Sequence, residues 1–291
     1  MIKSINIGVW YMLFASFCFA IMGAMAKELS ADMPSLEVVL FRNIVGVILI
    51  VMTFMKMPVK QVGGKPFLLF FRGLMGFIAL VAFFYNIAHI SLADAMTFSR
   101  TSPMFTALLA FWFLNEKLGK KEIIALVLGF IGIIFIMKPN GLQLDLTDIL
   151  GLLSGVGAAL AYTSVKELKK YYDTRVIVLS FMLTGTIGPL LLILFNDYLH
   201  VEFLKATFVV PDLKMWFYII GLGASATVAQ IYMTKAYGVA KAGIVGSVSY
   251  ANILFSLVIG VMLGDALPDF WGAFGIVLVV LGGILVAKEK G

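Results

Sequence analysis

Ile7-Gly-Val-Trp-Tyr-Met-Leu-Phe-Ala-Ser-Phe-Cys-Phe-Ala-Ile-Met-Gly-Ala-Met-Ala26 is a run of twenty residues without a charge. An α-helix rises 1.5 Å per residue, so this run is about 30 Å long, the thickness of a bilayer's hydrocarbon core. Lys3 precedes it and Ala24-Met25-Ala26 closes it, which is also the outline of a secretory signal. The uncharged stretch is long for a signal peptide, and a similar segment recurs deep in the chain, so it reads as a retained helix.

Nine further apolar runs follow. The first five spans cover approximately Ile7–Ala26, Val38–Met55, Phe67–Ala88, Leu92–Leu114 and Ile123–Met137. The second five cover approximately Ile149–Val165, Val176–Phe195, Met215–Ala236, Ala242–Gly264 and Phe270–Ala287. Pro34, Gly63-Gly64, Pro139-Asn140-Gly141, Pro211 and Pro268 punctuate the turns, and no linker is long enough for a soluble domain. The composition agrees: 62% of the 291 residues are hydrophobic and 13% charged. A soluble domain carries about 25% charged residues, so this chain lacks the means to make a hydrated surface.

The net charge of +6 does not point to nucleic acid, because the basic residues lie in short clusters between apolar runs and form no continuous face. Their distribution sets orientation instead. With the N-terminus inside, fifteen Lys and Arg residues fall in cytoplasmic segments, among them Lys56, Lys65, Lys120, Lys121, Lys169, Lys170 and Arg175. Only Lys27, Lys138, Lys205 and Lys214 fall outside, so both termini are expected in the cytoplasm of a bacterial inner membrane. The single Cys18 permits no intrachain disulfide and no metal-site spacing. There is no His/Asp/Glu cluster at metal spacing and no nucleophile–base pair within the spans, so neither a cofactor nor an enzyme is expected.

The two halves resemble each other. Ala26-Lys27-Glu28-Leu29 ends span one and Val165-Lys166-Glu167-Leu168 ends span six. Leu114-Asn115-Glu116-Lys117-Leu118 ends span four and Leu263-Gly264-Asp265-Ala266-Leu267 ends span nine. Gly132 stands six residues before Lys138, as Gly282 stands six before Lys288. The matches keep their order at separations of 139 to 150 residues, which predicts a duplicated five-helix unit, residues 1–140 and 141–291. An odd number of spans inverts the second copy, giving an all-α membrane protein of ten transmembrane helices in two inverted repeats. Such repeats commonly place a substrate site near the midplane, where they meet.

Arg72-Gly73-Leu74-Met75-Gly76-Phe77, Ala93-Asp94-Ala95, Ser102-Pro103-Met104-Phe105-Thr106-Ala107-Leu108-Leu109 and Leu114-Asn115-Glu116-Lys117-Leu118 carry a resemblance to the drug/metabolite transporter superfamily, specifically its EamA-type ten-helix members. Gly129 and Gly132 continue the pattern. In the second half it departs: Asn252 stands where span nine of the family usually has proline, and Asp265 replaces the closing Glu. The resemblance implies a metabolite transporter working by alternating access, commonly an exporter, with spans three, four, eight and nine lining a central cavity.

A charge inside a span costs about 2.5–3.5 kcal/mol and is by default a functional candidate. Arg100 is the deepest, three residues before Pro103, and could grip a carboxylate or phosphate through two parallel hydrogen bonds. Arg42, beside Asn43, is a second binding candidate, although it lies close enough to the outer edge to snorkel. Arg72 lies similarly near the inner edge; it is typical of the family and reads as part of the fold. Tyr85, Asn86, Gln230, Tyr232, Tyr250 and Asn252 are candidates for the cavity wall, or for hydrogen bonds between helices. Lys27-Glu28 and Lys166-Glu167 end equivalent helices on opposite sides and are candidate gate ion pairs, with an interfacial role as the alternative. His89 and Asp94, on the outer turn, are the places where a coupling proton could act.

The expected partners are a small-molecule substrate and membrane lipids, with the chain acting as a monomer or dimer. The midplane holds arginine and no acid, which favours an anionic or zwitterionic metabolite, such as an amino acid, over a cationic drug; a lipid-head-group flippase is the other alternative. The predicted topology can be checked with reporter fusions: one after Lys121 should report the cytoplasm and one after Lys214 the outside. The same side for both would end the five-plus-five arrangement.

Overall fold

The computed structural model describes residues 7–59, 63–99, 101–114, 119–137, 145–195, 208–240 and 242–287. Among the described residues every regular element is a helix: α1 (Ile7–Ser30), α2 (Ser35–Lys56), α3 (Pro66–His89), α4 (Leu92–Ser99), α5 (Ser102–Leu114), α6 (Lys120–Met137), α7 (Leu146–Leu168), α8 (Thr174–Leu194), α9 (Leu213–Val239), α10 (Ala242–Ser249), α11 (Ala251–Met262) and α12 (Phe270–Ala287). Six of these, α1, α2, α3, α7, α8 and α9, are long and apolar enough to cross a bilayer. Large apolar side chains point outward: Met55, Phe67 and Leu213 are 84%, 88% and 88% exposed. Such an exterior is tolerable against lipid tails and not against water.

The polar punctuation of the sequence caps the helices. The Asp173 carboxylate accepts the backbone N–H of Arg175 at 2.8 Å, and Asp212 accepts that of Met215 at 2.7 Å. Asp145 and Asp148 form a reciprocal capping box at the start of α7. Each satisfies amide groups that the helix itself leaves unpaired. Pro66 opens α3 in its first turn, where no amide donor is required.

The stretches expected to be spans four and nine are each broken into two helices. In the first, α4 stops at Ser99 and α5 starts at Ser102, with Pro103 at its second position. A proline there cannot donate back into α4, so the ladder is cut. In the second, Tyr250 separates α10 from α11. The Ser249 hydroxyl donates to the Gly246 carbonyl at 2.6 Å, a local bond that competes with the helical ladder.

Helices pair across the chain: α1 runs along α9, α3 along α7, α2 against α8 and α6 against α12. The broken segments cross over, α4 packing on α11 and α5 on α10. Close approach is made at small residues. A methyl group built on Gly73 of α3 would come within 3.0 Å of the Ser180 carbonyl and 2.8 Å of Thr184 on α8.

Two ion pairs lie at opposite ends of α3. Lys65, its N-cap, bonds Glu167 at 2.9 Å, near the end of α7. Just past the other end of α3, the Leu92 N–H donates to Asp265 at 3.0 Å, and Asp265 also takes the ammonium of Lys27 from the end of α1. The 24 residues of α3 separate the two pairs by about 36 Å. The ends of α1 and α7 therefore lie on opposite sides of the molecule. The expected gate residues find partners other than their sequence neighbours: Lys27 pairs with Asp265, and Glu167 with Lys65 and Lys170. An i,i+1 pair on a helix points in diverging directions and cannot close on itself. The hydrogen bond to Glu167 raises the Lys65 ammonium above the ordinary lysine range.

Gly73→Val should force α3 from α8 against a backbone carbonyl that cannot yield. Overpacking of this kind costs about 1–3 kcal/mol. The purified variant is expected to melt several degrees lower in detergent, and an unchanged melting temperature would show that the α3–α8 contact is not tight.

Candidate functional site

Arg42 is the eighth residue of α2 and Arg72 the seventh of α3, each about 10 Å along its helix. Snorkelling would send both side chains out toward water. Instead Arg42 is 0% and Arg72 1% exposed. Their guanidinium carbons lie 5.4 and 4.4 Å from the centre of a single ring, Phe181 on α8. The negative face of an aromatic ring attracts a desolvated cation by about 2 kcal/mol, which offsets part of the burial cost. The two cations thus converge inside the protein.

Neighbouring residues fix each guanidinium. Arg42 donates through Nη1 to the Asn43 side-chain oxygen at 2.7 Å. Asn43 is itself held by donating to the carbonyls of Val39 at 2.8 Å and Gly185 at 3.0 Å. Arg72 donates through Nη2 to the Gln230 side-chain oxygen at 3.3 Å, which ties α3 to α9. Glycine makes the room: a methyl group on Gly76 would come within 2.8 Å of Arg72 Nη1, and one on Gly185 within 2.5 Å of Asn43. Three buried guanidinium nitrogens have no hydrogen-bond partner among the described residues: Nε and Nη2 of Arg42, and Nε of Arg72.

Both arginines line one cavity, with Gln230, Ser99 and Ser154 as its other polar residues and Phe83, Tyr162 and Phe181 as aromatic walls. The cavity volume is about 50 Å³. Ser99 brings the break between α4 and α5 to this cavity. Glu37 is the only fully buried carboxylate among the described residues, and it is not part of the lining. It sits in the first turn of α2 and accepts the Val209 N–H at 3.1 Å. The arginines therefore face the cavity uncompensated by an acid among the described residues.

Of the residues singled out from sequence, Arg42 and Gln230 meet at this cavity. Arg100 lies outside the described residues. Asn86 is buried but donates to the Thr147 carbonyl at 2.8 Å, joining α3 to α7. Asn252 donates to the Ser16 carbonyl at 2.7 Å, joining α11 to α1. Tyr250 packs with Ile253 and Ile276. Tyr232 packs edge-on against Tyr11 and Phe14, and Tyr85 stacks on His89 at 4.0 Å. The His89 ring also contacts the Tyr85 carbonyl at 2.7 Å, and Asp94 accepts the Ser91 hydroxyl at 2.7 Å, so both outer-turn groups take part in local bonds. Arg72, Tyr162 and Phe181 were not read as binding residues. The signal for Arg72 was its charge within an apolar run; Phe181 and Tyr162 carry none, because an aromatic in a span is ordinarily packing.

Comparison with known proteins follows the same lines. The model of the EamA-like transporter family matches residues 6–138. An uncharacterised transporter of Helicobacter pylori is 34% identical, over 98% of this chain and 96% of that protein. The pseudopaline exporter CntI of Pseudomonas aeruginosa is 33% identical, over 97% of this chain and 96% of that protein. A solved crystal structure superposes with a TM-score of 0.71 at 16% identity, covering 97% of this chain and 96% of the other, a likeness of fold. With whole-length relatives above 30% identity and an apolar helical exterior, the chain is an integral membrane protein that belongs to the EamA-like transporter family.

Proposed function

We propose that this transporter moves an anionic or zwitterionic metabolite across a bacterial inner membrane by alternating access, with Arg42 and Arg72 as its binding residues. One observation carries the reading: two fully buried arginines face a cavity with unpartnered donors and no carboxylate among the described lining residues. Each buried cation costs about 2.5–3.5 kcal/mol, and each unmade buried hydrogen bond about 1–3 kcal/mol. An anion removes both penalties, whereas a lipophilic monocation adds repulsion. This disfavours the cationic-drug alternative.

The helix pairing supports ten spans in two inverted units, 1–140 and 141–291, with both termini cytoplasmic. Counting the broken segments as spans four and nine, span one packs on span eight and span three on span six, while two, four and five pack on seven, nine and ten. Exchanging the two sets of five returns the same pattern. Interrupted helices in corresponding places of two halves are the usual mark of a transport site. The ion pairs Lys27–Asp265 and Lys65–Glu167, at opposite ends of α3, each join one half to the other and suit a pair of gates. Export is the direction we favour, on the likeness to the pseudopaline exporter.

In proteoliposomes, carboxylated amino acids and organic acids should exchange, and quaternary ammonium drugs should not. Arg42→Gln is expected to lower exchange at least tenfold while the protein still purifies as a monodisperse species. Transport of quaternary ammonium with no response to any anion or zwitterion would overturn the reading. In the same assay, Lys65→Gln and Lys27→Gln should change the exchange rate without changing which substrates compete. A changed substrate preference would remove these residues from a gating role.

A further inference from the structure

The unpartnered atoms of Arg42 are not a random pair. Nη1 is taken by Asn43, which is itself clamped between two carbonyls, so the guanidinium plane is fixed. The donors left over, Nε and Nη2, form one edge of that plane. Two parallel N–H groups on a guanidinium edge match the two oxygens of a carboxylate, or two oxygens of a phosphate. Arg72 is held differently: Nη2 is on Gln230, and the donor left over is Nε. Both cations touch the same Phe181 ring, with guanidinium carbons 5.4 and 4.4 Å from its centre, so the two carbons lie no more than about 10 Å apart.

Charge leads to the same end. A monoanion on the Arg42 edge leaves Arg72 as an uncompensated buried cation. A second negative charge on the same molecule neutralises it and satisfies its Nε–H. A phosphate monoester carries nearly two charges near neutral pH, and a dicarboxylate carries two.

Resting on the anion-binding reading above, we propose that the site is built for a dianion, a metabolite bearing two carboxylates or one phosphate monoester, with Arg42 as the two-pronged anchor and Arg72 as the second charge contact. Asn43 is a positioning residue: it touches Arg42 and sets the direction in which the vacant edge points.

The test uses the purified full-length protein in detergent and thermal stabilisation by four probes: butyrate, succinate, glycerol 3-phosphate and tetramethylammonium. Succinate or glycerol 3-phosphate should reach half-maximal stabilisation at a concentration at least tenfold below butyrate. Which of the two is stronger distinguishes a two-carboxylate ligand from a phosphate. Arg42→Gln should remove the advantage, bringing succinate to the level of butyrate. If that variant does not fold, Arg72→Gln serves, since it removes the second charge contact and should likewise bring succinate to the level of butyrate.

Equal response to butyrate and succinate would overturn the dianion proposal and leave the anion reading standing. So would a preference that survives in Arg42→Gln or in Arg72→Gln. Response to tetramethylammonium alone would overturn both.

Discussion

Two guanidinium groups share one phenyl ring inside a bundle whose outer face is dressed for lipid. That arrangement constrains everything near it. A cation in hydrocarbon must be surrounded by protein, so α2, α3, α8 and α9 have to close around Arg42 and Arg72 without a gap. Close approach of four helices demands small residues where the side chains must be accommodated. Gly76 leaves space for the Arg72 guanidinium, and Gly185 for the amide that holds Arg42. The ring of Phe181 then substitutes for the carboxylate that a soluble protein would place between two arginines. It stabilises the cations without neutralising them, so the site keeps its positive field for a ligand.

The same closure explains the inner and outer ends. If the centre is held by polar contacts that need tight packing, the halves of the protein move only when contacts at one end are released. Lys27–Asp265 and Lys65–Glu167 are partly exposed and so screened by water. Surface ion pairs of this kind are weak. That weakness suits the proposed gating role: a strong buried bridge would hold the molecule in one state, while a screened one could be exchanged for hydration. The proposed alternating access calls for two states of similar energy, and weak closures at both ends would keep the energies close.

Much of this was legible in the chain. Uncharged runs of bilayer length announced a membrane protein, while the spaced Lys-Glu-Leu and Asn-Glu or Gly-Asp signatures are the ground on which two related halves are proposed. Arg42 and Gln230 stood out because a polar group in a span needs a reason. What the sequence hid was depth and partnership. Arg72 is the seventh residue of its helix, and linear distance to the edge made snorkelling look sufficient. Burial is decided instead by what the neighbouring helices cover, and here they cover it completely. Lys27 and Asp265 are 238 residues apart, and nothing local to either one names the other. Asn252 of α11 takes the second of the two uses its sequence allowed: it donates to a backbone carbonyl on α1, as most intramembrane amides do.

The breaks at Thr101 and at Tyr250 follow from different local chemistry, proline in one case and a serine back-bond in the other. If the two halves descend from one unit, the break has outlived the residue that made it, which argues that interruption itself is retained. An unbroken helix satisfies all its own amides and offers a ligand only side chains. A broken one frees backbone donors and acceptors at its cut ends. Ser99, the last residue before the first break, faces the cavity that holds both arginines. The half-helices also cross over, α4 onto α11 and α5 onto α10, so a shift at one break is passed to the other by direct packing. Under the proposed function, a ligand drawn to the two cations sits against the last residue of α4, so binding at the centre would reach the crossed half-helices by direct packing.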